Sequence, residues 1–165
     1  MIKGHGDDAY QYNCPAAVNF SSNVYHNMDL CGLKQHLAQC LGLIGGYPEP
    51  EPYNLEARLA GQHRLLPAEV CVTNGATEAI YLIAQTFRES LSAILQPTFS
   101  EYADACRIHG HRIRLLYQLP DERAGYRLPE EVQLLWLCNP NNPTGQVVEK
   151  KHICRLLEQN PKVLF

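Results

Sequence analysis

The chain has 165 residues, of which 45% are hydrophobic and 19% are charged, and its formal net charge is −3. This composition is typical of a folded domain with its own core and argues against intrinsic disorder. The small charge favours neither nucleic acid nor a membrane as partner, and the lack of a long apolar run or a signal-peptide core predicts a cytoplasmic protein.

The first part of the chain is predicted to be irregular at its start and helical afterwards. Residues 1–32 are rich in Asn, Ser, Tyr and Asp and are expected to form an arm. A short helix is predicted over residues 33–41, followed by a loop over residues 42–53, where paired glycines and three prolines oppose regular structure. Apolar residues with a helical period predict a second helix over residues 54–65.

From residue 70 onward, strand-like and helix-like segments alternate. Strands are predicted over residues 70–73, 92–96, 112–117 and 134–138, and helices over residues 76–88, 102–109 and 150–159. The last of these strands is a continuous apolar run, which is typical of a strand buried on both faces. The alternation predicts an α/β fold, with helices on both sides of an open, mostly parallel sheet in three layers.

The last three residues, 163–165, resemble the start of one more strand. A strand that starts there has neither a following helix nor all of its neighbours within the sequence. We therefore expect the chain to be the front part of a longer protein, with an arm over residues 1–32 and an incomplete large domain over residues 33–165.

Ligands of open α/β sheets bind beyond the carboxyl ends of the strands, so the turns at that edge are candidate sites. The first turn, Thr-Asn-Gly-Ala-Thr-Glu at residues 73–78, runs from a strand directly into a helix. Free amides around Gly75, Ala76 and Thr77, together with the positive end of the helix dipole, could seat a phosphate. The same residues also suit an ordinary helix cap. No Walker loop and no G-x-G-x-x-G fingerprint occurs.

The second turn, residues 96–102, places Phe99 directly after a strand. An aromatic ring at this position either closes the core or offers a flat surface for stacking on a planar cofactor. The third turn, Cys-Asn-Pro-Asn-Asn-Pro-Thr-Gly at residues 138–145, carries more constraints than a simple turn needs. Its Asn–Pro bonds can be cis, which is one way to aim a side chain.

The segment Asn-Pro-Asn-Asn-Pro-Thr-Gly resembles the signature loop of the fold-type I aminotransferases, which depend on pyridoxal 5′-phosphate (PLP). All three turns occur in that family's order, and the resemblance covers nearly the whole chain. It implies the large domain of a PLP-dependent transferase, with PLP as cofactor. The implied cofactor-binding residues are Gly75, Ala76 and Thr77 at the phosphate, Phe99 on the pyridine ring, and Asn142 at the phenolic oxygen.

A second resemblance lies in Tyr-Pro-Glu-Pro at residues 47–50. In the family a tyrosine at this place reaches across a dimer to the phosphate of the partner's cofactor. The resemblance therefore implies that Tyr47 binds cofactor and that the protein is a homodimer.

Within the family, the chain is similar to histidinol-phosphate aminotransferases and to their relatives, the threonine-phosphate decarboxylases, which serve cobalamin side-chain synthesis. The arm, with His-Gly at residues 5–6 and Asn-Phe-Ser-Ser-Asn at residues 19–23, is more similar to the decarboxylases. This implies that His5 and Asn23 face a small phosphorylated, amino-acid-like substrate. A loose, solvated arm is the alternative. An aminotransferase of this or another substrate stays open.

The family's active site also requires a Schiff-base lysine and an aspartate that pairs with the pyridine nitrogen. The resemblance places both beyond Phe165. None of the five lysines of the chain follows a Ser-x-Ser or Ser-x-Thr pattern, so no catalytic residue is assigned and the 165-residue chain alone is expected to be inactive. The seven cysteines include no C-x-x-C pair, so no metal site is predicted.

Two hypotheses of another class remain at this point. One is a nucleotide- or flavin-binding regulatory domain built on a similar sheet, although no nucleotide-specific contact follows the phosphate seat. The other is a non-catalytic relic or interaction module, which would require 165 residues to be the natural length.

Overall fold

The computed structural model describes residue 18, residues 23–25 and residues 27–165. The chain divides into two compact units, Met1–Val72 and Thr73–Phe165, and each is described separately. The division of the chain into an arm and an incomplete large domain at residues 32 and 33 stays a prediction.

The unit Met1–Val72 is helical in its described part. Helix α1 spans Cys31–Cys40 and helix α2 spans Tyr53–His63, so both predicted helices are present within two residues of their expected bounds. The predicted loop is partly wrong, because a 3-10 helix at Leu41–Gly45 occupies its first residues. A second 3-10 helix lies at Pro67–Glu69. Paired glycines and prolines exclude a continuing α-helix but tolerate one tight turn.

Helix α1 presents apolar side chains to solvent. None of the described residues of α1 is buried, and Leu33 and Leu37 are 54% and 55% exposed. In the turn that follows, Leu43 and Ile44 are 77% and 76% exposed. The apolar residues of this unit therefore find few partners within the described chain.

The strand predicted over residues 70–73 is wrong: these residues have no regular structure. The amide of Val72 donates to the carboxylate of Glu56 at 3.2 Å rather than to a neighbouring strand. A strand is stabilised by a ladder of hydrogen bonds, and no described strand offers one to this segment. Its apolar composition alone was therefore a misleading signal.

The unit Thr73–Phe165 is an α/β layer structure around a parallel sheet. Its helices are α3 (Ala76–Thr86), α4 (Glu101–Ile108) and α5 (Lys150–Gln159), and its strands are β1 (Leu91–Leu95), β2 (Arg112–Leu116) and β3 (Leu134–Trp136). The described strands lie in the order β2-β1-β3, and both pairings are parallel. Leu164 forms a parallel bridge to Leu134, which agrees with a further strand beginning at residues 163–165. The predicted fold class is confirmed.

Strands β1 and β3 are buried on both faces, as predicted for the continuous apolar run of β3, whereas β2 is largely exposed. On one face, Ile94 of β1 and Trp136 of β3 pack with residues of α3 and α4. On the other face, Ala93 and Leu135 pack with Leu156 of α5 and with the segment between β2 and β3. Alternate residues of one strand therefore serve opposite layers, and this fixes the register of the site-bearing turns.

A buried polar contact ties α3 to the sheet. The ring of His111 lies 2.8 Å through Nε2 from the carbonyl oxygen of Ala84 and 2.7 Å through Nδ1 from the hydroxyl of Ser92. Because a carbonyl oxygen only accepts, Nε2 carries the donated hydrogen, and a neutral ring then accepts from Ser92 at Nδ1. The contact anchors α3 against β1 and so positions the turn at the start of α3.

The helices in the described part of the chain fall short of a transmembrane span in length and apolar character. The described cysteines carry free thiols, and of these only Cys106 is buried.

Candidate functional site

The turn at the start of α3 exposes backbone amides at a helix N-terminus. Gly75 precedes the helix with φ +87° and ψ 170° and, as a glycine, has no side chain that could cap the first turn. The hydroxyl of Thr73 donates to the carbonyl of Gly75 at 2.9 Å, and the amide of Asn74 donates to the carboxylate of Glu78. Within the described chain, the ordinary side-chain cap that the sequence left open is therefore not made.

The space beside this turn is open. A Cβ atom added at Gly75 would meet no atom of the described chain within 4 Å. The backbone conformation of Gly75 is one that residues with a side chain adopt only under strain. The amides of Ala76 and Thr77 lie in the first turn of the helix, where backbone N–H groups have no partner within the helix. These N–H groups point out of the N-terminal end, where the helix dipole is positive. The turn thus has the backbone, the room and the electrostatics of an anion seat.

The second turn places Phe99 partly in the core. Phe99 is half-buried and packs against the cluster that contains Ile80 of α3, Ile94 and Trp136. Its ring meets the ring of Tyr102 edge to face, with centroids 6.1 Å apart and planes at 88°. Both interpretations of Phe99 are therefore compatible with the structure, since the residue packs against the core and is only half-buried.

Tyr102 contacts both Phe99 in this turn and Trp136 of β3. Its ring stacks on Trp136 with centroids 5.2 Å apart and an interplanar angle of 28°. Burial raises the pKa of Tyr102 to about 12, and a hydrogen bond with Cys138 adds to the shift. This role was not predictable from the sequence, because Tyr102 is simply the second residue of α4.

The third turn is held by its own side chains. Asn139 donates through Nδ2 to the carbonyl of Val148 at 3.1 Å and accepts the amide of Val148 at 3.0 Å. The thiol of Cys138 accepts the amide of Asn142 at 3.4 Å and lies 3.3 Å from the carbonyl of Pro140. Asn142 itself is half-buried and has further interactions.

The peptide bonds Gln96–Pro97, Asn139–Pro140 and Asn142–Pro143 are cis. The expectation that the Asn–Pro bonds of the third turn can be cis is therefore met at both positions.

Asn141 joins the second and third turns, a role that was not predicted from the sequence. Its Nδ2 donates to the carbonyl of Pro97 at 2.9 Å and to the hydroxyl of Thr144 at 2.8 Å. Its Oδ1 accepts from the hydroxyl of Thr98 at 3.0 Å. The structure thus brings the turns of Phe99 and Asn142 together, and the only sequence signal for this was the surplus of asparagines.

A cavity of about 730 Å³ adjoins the same pair of turns, on the part of the unit that carries α5. Pro97, Cys138 and Asn141 contribute to its wall, as do charged residues at the start of α5. Among these, Lys151 forms an ion pair with Glu149 at 3.0 Å, which raises the pKa of the lysine. The cavity therefore carries charges of both signs, and its lysine is paired with a carboxylate.

Three predicted site residues are not tested by this arrangement. Tyr47 and Asn23 belong to the unit Met1–Val72, where both are exposed. His5 lies outside the described residues. Their predicted contacts with cofactor and substrate stay predictions.

The described lysines are all exposed, on α1, at the start of α5 and near the last residue. An exposed lysine of this kind is a solvated cation and a poor nucleophile. No group of three or more His, Cys, Asp or Glu side chains placed to hold a metal ion occurs within residues 18, 23–25 and 27–165.

The family profile of aminotransferase class I and II matches residues 15–164. Histidinol-phosphate aminotransferase from Lactiplantibacillus plantarum is 30% identical over 122 residues, covering 70% of this chain and 34% of that protein. Threonine-phosphate decarboxylase from Salmonella typhimurium is 30% identical over 140 residues, covering 81% of this chain and 38% of that protein.

Among solved structures, L-threonine-O-3-phosphate decarboxylase from Porphyromonas gingivalis matches with a TM-score of 0.78 and 38% identity. The match covers 86% of this chain and 43% of that structure. The chain thus spans between 34% and 43% of the length of these three relatives.

Proposed function

The chain belongs to the aminotransferase class I and II family of PLP-dependent enzymes, and on that basis we propose that it supplies the cofactor cradle of an enzyme acting on a phosphorylated amino compound. The observations that carry the proposal are the uncapped turn at Gly75 and the hydrogen-bonded pair of turns that hold Phe99 and Asn142. When bound, PLP would supply a ring that accepts electrons from the substrate's α-carbon.

Each part of the cradle has a separate task. The amides of Ala76 and Thr77 and the hydroxyl of Thr77 bind the cofactor phosphate, and Gly75 leaves the room for it. Phe99 offers a ring face to the pyridine. The side-chain amide of Asn142 donates to the phenolic oxygen, which orients the ring in its plane. The residues present therefore fit the cofactor.

For the substrate we propose L-threonine-O-3-phosphate, with decarboxylation as the reaction. The support is the 38% identity to the decarboxylase structure from P. gingivalis and the decarboxylase-like arm. The second candidate is a histidinol-phosphate aminotransferase, which the relative from L. plantarum favours. The family match favours both over a nucleotide- or flavin-binding domain.

The finer assignments belong to the same proposal. His5 and Asn23 contact the substrate, and Tyr47, which is exposed, reaches the cofactor of a second copy in a homodimer located in the cytoplasm. The 165-residue chain alone is inactive, because its lysines do not follow the pattern that the family uses for the covalent bond to PLP.

Cofactor binding can be tested directly on this chain. Trp136 is its only tryptophan and lies in the core beneath Phe99 and Tyr102, so its fluorescence should respond to a ring bound above. The ligand should be 4′-deoxypyridoxine phosphate, which has no aldehyde and cannot react with surface lysines. We expect saturable quenching that inorganic phosphate reverses; a linear, non-competed response would contradict the proposal.

The reaction requires the catalytically active enzyme. Incubation with threonine phosphate should release carbon dioxide without an amino acceptor. Incubation with histidinol phosphate and a 2-oxo acid should give no transfer of the amino group. The reverse result would replace the decarboxylase by the aminotransferase and leave the proposed cofactor site intact.

A further inference from the structure

Asn141 makes hydrogen bonds across two turns of the candidate site. Its side chain contacts Pro97 and Thr98 in the turn after β1, and Thr144 within its own turn after β3. We call these residues the loop clamp. Pro97 and Asn141 are separated by 44 positions in the sequence, so the clamp is a tertiary contact and not part of a local turn.

The clamp uses both N–H donors of one primary amide and one acceptor position of its oxygen. The two N–H groups of Nδ2 are donated to the carbonyl of Pro97 and the hydroxyl of Thr144, and Oδ1 accepts from Thr98. The backbone of Asn141 is also engaged, because its carbonyl accepts from Gly145 at 2.7 Å and its amide donates to Gln146 at 2.8 Å. Aspartate at this position would set a carboxylate oxygen against the carbonyl of Pro97, where both groups only accept.

The residues of the loop clamp are sequence neighbours of two proposed site residues. Thr98 immediately precedes Phe99, and Asn141 immediately precedes Asn142. Consecutive Cα atoms lie only about 3.8 Å apart, so a fixed distance between Thr98 and Asn141 restricts the distance between the two neighbouring residues. The proposed ring contact and the proposed phenolic-oxygen contact are thereby attached to one another.

We propose that Asn141 is a positioning residue that sets the spacing of Phe99 and Asn142 for the ring of the cofactor. The inference rests on the proposed cofactor and adds to it a residue that touches neither ring nor phosphate. It separates the two ends of the site: the clamp controls the ring end, whereas the seat at residues 75–77 binds phosphate independently of it.

The test compares two ligands on four forms of the chain. The ligands are 4′-deoxypyridoxine phosphate, which engages both ends, and inorganic phosphate, which engages only the seat. The forms are the unsubstituted chain, Asn141→Ala, Thr98→Val and the matched control Asn139→Ala. The control removes an asparagine of the same turn that makes two hydrogen bonds, but both go to Val148 and neither crosses to the turn of Phe99.

We expect Asn141→Ala to weaken binding of the pyridoxine analogue about tenfold and to leave phosphate affinity unchanged within about twofold. Thr98→Val removes one of the crossing bonds and should weaken the analogue about two- to threefold, which provides a milder variant if Asn141→Ala folds poorly. In addition to these four forms, Asn141→Asp should behave like Asn141→Ala rather than restore binding. Asn139→Ala should retain the affinity of the unsubstituted chain for both ligands.

A second readout needs no ligand. Backbone amide exchange across residues 98–102 should accelerate in Asn141→Ala and stay unchanged in Asn139→Ala, since only the first variant releases that turn. Three results would overturn the positioning role of Asn141 while the cofactor proposal survives. They are an equal loss of affinity for both ligands in Asn141→Ala, an effect of Asn139→Ala equal to that of Asn141→Ala, and an unaltered affinity of Asn141→Ala for the analogue. Failure of the unsubstituted chain to bind the analogue would overturn both.

Discussion

The two ends of the candidate site are built from different materials. At residues 73–78 the proposed recognition depends on the backbone: a glycine, two amides and a helix end, with no side-chain cap in the described structure. At the turns after β1 and β3 it depends on side chains, where Asn141 joins the two turns and Asn142 is assigned to the cofactor ring. The first end therefore depends on one backbone conformation, and the second depends on the side chains of Asn141 and Asn142.

The largest effect should come from altering the backbone end. Gly75→Ala forces a residue with a Cβ atom into φ +87°, which costs about 1–3 kcal/mol although the space itself is open. We expect affinity for both inorganic phosphate and 4′-deoxypyridoxine phosphate to fall about tenfold or more, as measured by titration. Gly61→Ala inside α2 is the matched control, and it should raise the melting temperature and change neither affinity. If Gly75→Ala lowered the affinity for the analogue but not for inorganic phosphate, the proposed difference between the two ends would be contradicted.

An intermediate effect should come from the side-chain end. Asn142→Ala removes one proposed hydrogen bond to the cofactor ring, a contribution of about 0.5–1.5 kcal/mol. Affinity for the pyridoxine analogue should fall about three- to tenfold, while phosphate affinity stays constant. A parallel loss of phosphate affinity would indicate that the two ends are not separable.

A smaller effect is expected at Thr77, which is exposed in the first turn of α3. Thr77→Val keeps the shape and removes the hydroxyl, so both phosphate ligands should bind about two- to fivefold more weakly. Thr77→Ser retains the hydroxyl and should keep most of the affinity. Equal binding by the Val and Ser variants would show that only the backbone amides matter at this end.

The smallest effect at neutral pH, and a clear one in alkali, concerns Tyr102. Its pKa of about 12 lies above the ordinary value of 10.0, because burial and Cys138 disfavour the phenolate. Between pH 10 and pH 12 the unfolded chain therefore loses this proton before the folded chain does, and stability falls as pH rises. Tyr102→Phe should reduce that alkaline slope in denaturant titrations and leave stability at neutral pH within about 1 kcal/mol. An unchanged slope would contradict the buried hydroxyl.

The sequence predicted most of the sheet because its strands and helices carry local periodic signals. Strands β1, β2 and β3 and helices α3, α4 and α5 were each predicted within a few residues. The segment at residues 70–73 failed for a non-local reason, since an apolar stretch becomes a strand only when a neighbour offers a ladder.

The turns of the candidate site were predictable where their structure is local. Gly75, Phe99 and Asn142 stand in turns that are recognisable from short segments. Asn141 was not, because its partners in the turn of Pro97 lie more than forty positions away and no periodic pattern encodes them. The same holds for the contact between His111 and Ser92, in which three elements meet around one ring.

The exposed apolar side chains of α1 and of the turn after it favour association between molecules of this chain. Side chains such as Leu43 and Ile44, more than three quarters exposed, are attractive to one another across different molecules in concentrated solution. Kosmotropic salt strengthens that attraction, so turbidity should grow with ammonium sulfate sooner than the modest net charge would suggest. Dilute, low-salt solutions therefore suit ligand titrations of this chain, because association between its molecules would otherwise mask ligand binding.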